Sequence, residues 1–177
     1  MRGIMVLRGK LVQTIAAFGL ALSLLGGCQD YSFSVNEKTL YEPPRLFSDF
    51  SIDDATLRAC VEQAIRDGRV TAADQLRELN CSSAGIRSLA GLESFTGLRQ
   101  LGFDRNLIED LSPLYALKTL ELLQVRENRL RMLSSQLCTT GLKRIAVAGN
   151  ARLDCNALDE LEGCGIQILD APEHCPP

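Results

Sequence analysis

The chain has a single histidine among its 177 residues, His174, and it stands in the terminal tail beside Cys175. That leaves little for general acid–base chemistry, which draws on histidine first. Carboxylate groups occur together at Asp53-Asp54, Glu109-Asp110 and Asp159-Glu160-Glu162, but each reads as a helix start or a solvated loop. There is no Cys-x-x-Cys, no His-Glu-x-x-His and no glycine-rich phosphate loop, so thioredoxin-like redox, zinc-peptidase and nucleotide-binding readings have no motif to stand on. Cys155, Cys164, His174 and Cys175 could be gathered around a metal, but their spacing matches no zinc pattern. No basic stripe exists and the formal net charge is −3, which excludes nucleic acid as a partner. Only one long apolar run is present, Leu11 to Leu25. The expectation is a protein without catalytic residues, metal or cofactor.

What is present is a repeat from Leu76 to Gly165. Rows of 22 residues begin at Leu76, Leu98, Leu120 and Leu142, the last running long. Apolar residues recur at positions 1, 4, 6, 11 and 14 of each row until Arg152 adds a residue before Leu153. The second row fills every slot with Leu98, Leu101, Phe103, Ile108, Leu111, Leu114 and Leu117. At position 9 stand Asn106, Asn128 and Asn150, with Ala84 in their place in the first row. This is the L-x-x-L-x-L-x-x-N-x-L signature of a leucine-rich repeat. The alternation at positions 4 and 6 makes a short strand, and the changed spacing after Asn makes the chain turn back. One such coil cannot bury its apolar face; stacked coils can. The reading is therefore α/β: a short curved solenoid of about four to five coils, with a parallel sheet on its concave face and a helical cap at its start. Each Asn is buried in the stack and its amide must be satisfied by turn backbones. Asn128, with a coil on either side, is expected to matter more to stability than Asn150, which faces an incomplete one.

Two resemblances add an address and a cap. Residues 1–27 open with Arg2, Arg8 and Lys10, continue through the apolar run and end Leu25-Gly26-Gly27 before Cys28. The run is short for a membrane span and ends in small residues, like a signal peptide. The ending resembles the lipobox of bacterial lipoproteins. By that resemblance Cys28 becomes the lipidated and N-acylated first residue, and the chain is a cell-envelope lipoprotein held to the membrane by its N-terminal lipid. Gln29, rather than Asp, follows the cysteine, which favours the outer membrane; inner leaflet or surface is left open. All 22 acidic residues follow Cys28 and three basic ones precede it, so cleavage takes the net charge from −3 to −6. Residues 28–51 read as a tether whose Phe47 and Phe50 dock on the domain. Residues 52–75 read as the cap: Asp53 as N-cap, Ile52 stapled to Leu57, an apolar face of Leu57, Cys60, Val61, Ala64 and Ile65, Gly68 as stop, and Thr71 capping one turn. This segment and the G-I-x-x-L-x-G-L run at Gly85 to Leu92 resemble bacterial leucine-rich-repeat proteins of the internalin type. The repeats occupy 76–165, and 166–177 supplies a final strand and cap. In the second row Ser112-Pro113 reads as the start of a tight convex turn; the third row, with Ser134-Ser135-Gln136, should turn more loosely.

Lipidation of Cys28 leaves six cysteines in an oxidising compartment, where disulfides are the default. Cys60 lies on the apolar face of the cap helix and Cys81 at an inward strand position of the first coil, which predicts a Cys60–Cys81 bond. Cys138 with Cys164 and Cys155 with Cys175 is the preferred pairing of the rest; Cys155–Cys164 with Cys138–Cys175 is its rival.

The outward strand positions form the candidate binding face: Arg77, Glu78, Asn80 and Ser82; Arg99, Gln100, Gly102 and Asp104; Glu121, Leu122, Gln124 and Arg126; Lys143, Arg144, Ala146 and Ala148. Two functions compete. One is a non-catalytic binding module for an envelope protein or polymer; the other is a structural or assembly spacer with no specific concave ligand. Five strands about 4.8 Å apart and about 10 Å long give a face of roughly 250 Å², against about 800 Å² per partner in a standard interface. A partner must therefore also engage loops, cap or tether.

Overall fold

The computed structural model describes residues 33–35, 38–41 and 44–175. Signal peptide, lipidation at Cys28 and the start of the proposed tether lie outside them. The chain divides into two units at Pro43/Pro44. In the first, β1 (Phe33–Val35) and β2 (Lys38–Tyr41) pair as an antiparallel hairpin. The part of the tether from Pro44 onward belongs to the second unit. There Phe47 N–H donates to Val70 O (2.8 Å), and Phe47, Phe50 and the buried Phe95 form an aromatic group with centroids 5.3–5.8 Å apart. Both phenylalanines dock as expected.

The second unit is a solenoid. β3 (Glu78–Asn80), β4 (Gln100–Gly102), β5 (Leu122–Gln124), β6 (Arg144–Ala146) and β7 (Gln167–Asp170) form one parallel sheet in that order. Leu79, Leu101, Leu123, Ile145 and Ile168 sit in register across it, so the row spacing in sequence is the strand pairing in space. Behind this row the core runs unbroken from Ile52 to Ile166, with Phe103, Val125 and Val147 in the column that begins at Cys81. Tight 3-10 turns at Leu92–Ser94, Ser112–Ala116 and Ser135–Thr139 return the chain on the convex side. The turns of the second and third rows are equally long, so the third is no looser: Ser134 Oγ accepts from Gln136 N–H (3.2 Å) and holds it. In the second row the N-cap position is Leu111, not Ser112, and Asp110 accepts from both the amide and the hydroxyl of Ser112.

α1 (Ala55–Gly68) closes the N-terminal end with Leu57, Val61 and Ile65 buried. Its N-cap is Asp54 rather than Asp53, and its left-handed C-cap is Arg69 rather than Gly68. Ile52 is buried but stands one position too early for the expected staple. The single turn at Ala73–Gln75 has no side-chain N-cap; Thr71 instead donates to Gln75 Oε1 from both its amide and its hydroxyl. The close approach of the cap requires Gly91, whose φ is +100° and where a Cβ would stand 2.2 Å from Ser51 O. At the far end the fourth row forms a true helix, α2 (Asn156–Gly163), which buries Ala157, Leu158 and Leu161. The row pattern did not foretell it. Among the described residues no helix is long and apolar enough to cross a membrane.

Candidate functional site

The asparagine column is internal. Asn106 accepts from Ala84 and Ile86 N–H (3.1 and 3.0 Å) and donates to Cys81 O and Phe103 O (3.0 and 2.9 Å). Asn128 accepts from Ile108 N–H and donates to Phe103 O and Arg126 O. Asn150, wholly buried, accepts from Leu130 N–H and donates to Val125 O and Val147 O. Each amide thus ties its own coil to the preceding one, and none reaches forward. The expected ranking of Asn128 above Asn150 loses its reason, since the incomplete coil after Asn150 is on the side its amide does not use.

Cys60 is bonded to Cys81, Cys138 to Cys164 and Cys155 to Cys175. The first sits where an asparagine at position 84 would have tied the first coil to the cap. Asp54 adds to that junction: Oδ1 caps α1 through Thr56 and Leu57 N–H, while Oδ2 accepts from Arg87 and Ser88 N–H in the first coil. Burial pushes the Asp54 carboxyl up, but these four amide bonds outweigh it and hold the group below the usual aspartate range. Cys155, His174 and Cys175 bring their ligand atoms within 4.8 Å of one another. The two sulfurs are joined, so neither offers the thiolate that a metal or a nucleophilic mechanism needs, and His174 Nε2 lies 2.9 Å from Leu153 O.

The concave face divides into two parts. One is a pair of ionic ladders. Glu121 takes Arg99 Nη1 (3.1 Å) from the coil before and Lys143 Nζ (3.0 Å) from the coil after, and the Lys143 bond leads in lowering the Glu121 carboxyl below the usual range. Arg126 takes Asp104 (3.0 Å) from the coil before and, with Nε, Asp170 from two coils on. That long reach is open because the intervening coil offers only Ala146 and Ala148 at the equivalent positions. The Asp170 bond leads in raising the Arg126 guanidinium further. These charges, expected to face a ligand, are spent largely on one another.

The other part is a shallow depression of about 330 Å³ over the first three coils, lined by Glu78, Asn80, Gln100, Gly102, Leu122 and Gln124. Gly102 makes the hollow: a Cβ there would come 3.0 Å from Asn80 Oδ1. Asn80 Oδ1 already accepts from Ser82 N–H and Oγ–H, whereas Gln100 and Gln124 make no side-chain hydrogen bond among the described residues. Leu122 stands half-buried between them. Arg77, just before β3, and Arg144, on β6, are exposed and form no salt bridge among the described residues. The arrangement can take amide and backbone groups around one apolar contact. It brings no nucleophile to a base. Of the residues read as outward, Gly102 and Ala146 are buried, and the sequence reading missed the mutual pairing of Arg99, Glu121 and Lys143, although their one-row offset was there to be read.

No family model matches the chain, and no curated protein does. Among solved structures, an internalin, InlF, from Listeria monocytogenes is 20% identical with a TM-score of 0.52, covering 67% of this chain and 43% of that one. Internalin C2 from the same organism is 19% identical with a TM-score of 0.48, covering 67% of this chain and 56% of that one. The chain spans about half the length of these structures. At such identity a likeness speaks to fold alone, and together with the five-stranded parallel sheet it gives the chain the leucine-rich-repeat fold of the internalin kind.

Proposed function

We propose that this chain is a lipid-anchored protein of the bacterial cell envelope, attached at the outer membrane through Cys28, whose solenoid acts as a non-catalytic protein-binding module. The observation that carries the reading is the depression over β3, β4 and β5. Its glutamine side chains are unpaired among the described residues, its glycine opens space, and Leu122 offers an apolar contact inside a polar rim. The ladders beside it hold the wall rigid, which lowers the entropy lost on binding. The strand face, roughly 250 Å², is far smaller than the about 800 Å² per partner of a standard interface, so the partner also meets the cap or the edge loops.

The same ladders favour the second reading, an envelope spacer, because they satisfy the concave charges with no ligand present. Photo-crosslinking in intact cells separates the two. A crosslinker at Gln100 or Gln124 should capture one defined protein, and one at Glu160 on the convex side should not. Identical capture from both faces, or none from the concave one, removes the binding module and leaves the spacer. The anchor is tested apart from this: Cys28→Ser should release the domain or leave an unprocessed precursor, and an unmodified chain beginning elsewhere refutes lipidation.

A further inference from the structure

The fourth row carries an extra residue before Leu153, and the insertion makes a cleft. In the second and third coils the tenth residue binds back to the preceding coil, Leu107 N–H to Ile86 O (2.8 Å) and Arg129 N–H to Ile108 O (2.9 Å). In the fourth coil the bond moves on to Asp154 N–H and Arg131 O (2.9 Å), and Leu153 N–H turns back to Asn150 O (3.1 Å). Ala151 and Arg152 are thereby looped out of the ladder. Neither amide N–H has an acceptor among the described residues. Between this loop and the third coil lies an open cleft of about 460 Å³, lined by Arg129, Arg131, Arg152, Ala151, Gly149 and Glu109, with Asn128 at its base. Three arginines line it together with Glu109, and Glu127 stands beside Gly149 at its edge, in a protein whose net charge is −3. None of the three arginines makes a salt bridge or side-chain hydrogen bond among the described residues. On the concave face Glu121 and Arg126 are neutralised by partners in other coils. Here the protein concentrates one sign and leaves it unpaired.

We propose that this cleft is an oxyanion site that takes a phosphate-class dianion. Guanidinium forks match tetrahedral oxyanions bidentately, and looped backbone amides beside them add the neutral donors such sites use. Glu109 in the same lining disfavours a larger polyanion and can accept a hydrogen bond from a hydroxyl next to the phosphate. Inorganic phosphate and a phosphate carried on an envelope sugar share this chemistry. The site lies on the edge of the solenoid and uses no residue of the concave depression, so it stands or falls independently of the binding-module reading.

Calorimetric titration of the full chain in detergent, at low ionic strength, tests it with inorganic phosphate, glucose 6-phosphate and acetate. Both phosphates should bind, and acetate at least tenfold more weakly. Arg131→Ala and Arg152→Ala should each weaken phosphate at least tenfold, Glu109→Gln should tighten it, and Arg105→Ala, outside the cleft, should leave it unchanged. These side chains are exposed, so the variants should melt as the wild type does, and binding is compared only among variants that do. Equal affinity for both phosphates identifies the group itself as the ligand; tighter binding of glucose 6-phosphate identifies a sugar-borne phosphate. Absence of phosphate binding, binding indifferent to Arg131 and Arg152, or acetate as good as phosphate overturns the proposal.

Discussion

The two ends of the solenoid are closed in different ways, and the direction of the asparagine column explains why. At the N-terminal end one long helix, α1, and the Phe47–Phe50–Phe95 group cover the first coil, with a single disulfide. At the C-terminal end a shorter helix, α2, one further strand and two disulfides do the work. Every asparagine ties its coil to the one before. The last complete coil is therefore fastened inward by Asn150, while the first, with Ala84, has no such tie to the cap. Cys60–Cys81 and Asp54 stand at that open step. A directional column makes the two ends of a stack unequal even when the coils are alike.

The inequality can be broken most severely at the disulfides. Removing Cys60 and Cys81 together (both→Ala) should lower stability by about 3 kcal/mol, the chain-entropy value for a loop of 21 residues. The Cys155–Cys175 loop of 20 residues has nearly the same entropy value. Its removal should nevertheless cost less, because the tail can fray locally while the sheet stays closed beneath Cys138–Cys164. Urea unfolding of the two double variants decides it: equal losses mean the ends are equivalent.

Next come the asparagines. Each Asn→Ala change should cost about 1–3 kcal/mol by stranding buried backbone groups. Asn106 should be the most sensitive, since two amides of the first coil depend on its oxygen. Asn150, wholly buried and fully bonded, should cost no less than Asn128. Urea midpoints in which Asn150→Ala is plainly the mildest would contradict a backward-directed column.

The repeat was legible because its period is a covalent fact: Leu79, Leu101, Leu123 and Ile145 lie one row apart in sequence and side by side in the sheet. What was not legible depended on distant partners. Asp53 and Asp54 carry the same local capping signal, and the choice falls on Asp54 because Arg87 and Ser88 amides wait for its second oxygen. Helix α2 hides inside a row that otherwise reads as strand and turn, its eight residues too few to declare a period. Of the candidate site, the inward strand residues Leu79, Leu101, Leu123 and Ile145 were readable from alternation alone. The Arg126–Asp170 bond was not, since it spans two coils and depends on the small side chains between. Nor did composition foretell that Ser83, Arg105 and Glu127 adopt left-handed backbone (φ 59°, 56° and 51°) at one repeated position.

A smaller test of the junction uses pH. The Asp54 carboxyl is lowered in the folded protein, so the stability it contributes is present above its unfolded value, about 3.9, and is lost as pH falls through the folded value. Asp54→Ala should remove about 0.5–2 kcal/mol at neutral pH, the usual worth of an N-cap. Asp54→Asn keeps the acceptor for Thr56 and Leu57 but loses the one for Arg87 and Ser88, and should fall between. Both variants should flatten the acid limb of the stability–pH curve below about pH 5. An unchanged acid limb would show that Asp54 plays no part in closing the N-terminal end.

The smallest expected effect compares coils within the left-handed column. Its last member is Gly149 (φ 74°), where a Cβ would press within 2.9 Å of Glu127 Cγ, whereas the three before it carry side chains. A left-handed L-residue costs about 1–2 kcal/mol, and glycine at such a site gives back about 0.4–1 kcal/mol through the freer unfolded chain. The balance should make Glu127→Gly stabilising, by about 0.5–1 kcal/mol. Ser83→Gly should gain less, because Ser83 Oγ accepts from Arg105 Nε (2.8 Å) and that bond would be lost. Gly149→Ala should go the other way, adding both the backbone strain and the contact with Glu127. Thermal melts of the three variants should therefore rank Glu127→Gly above Ser83→Gly above wild type, with Gly149→Ala lowest. If Gly149→Ala were neutral, the left-handed turn of the fourth coil would be looser than those of the coils before it, and the C-terminal end would depend on its disulfides rather than on its turn.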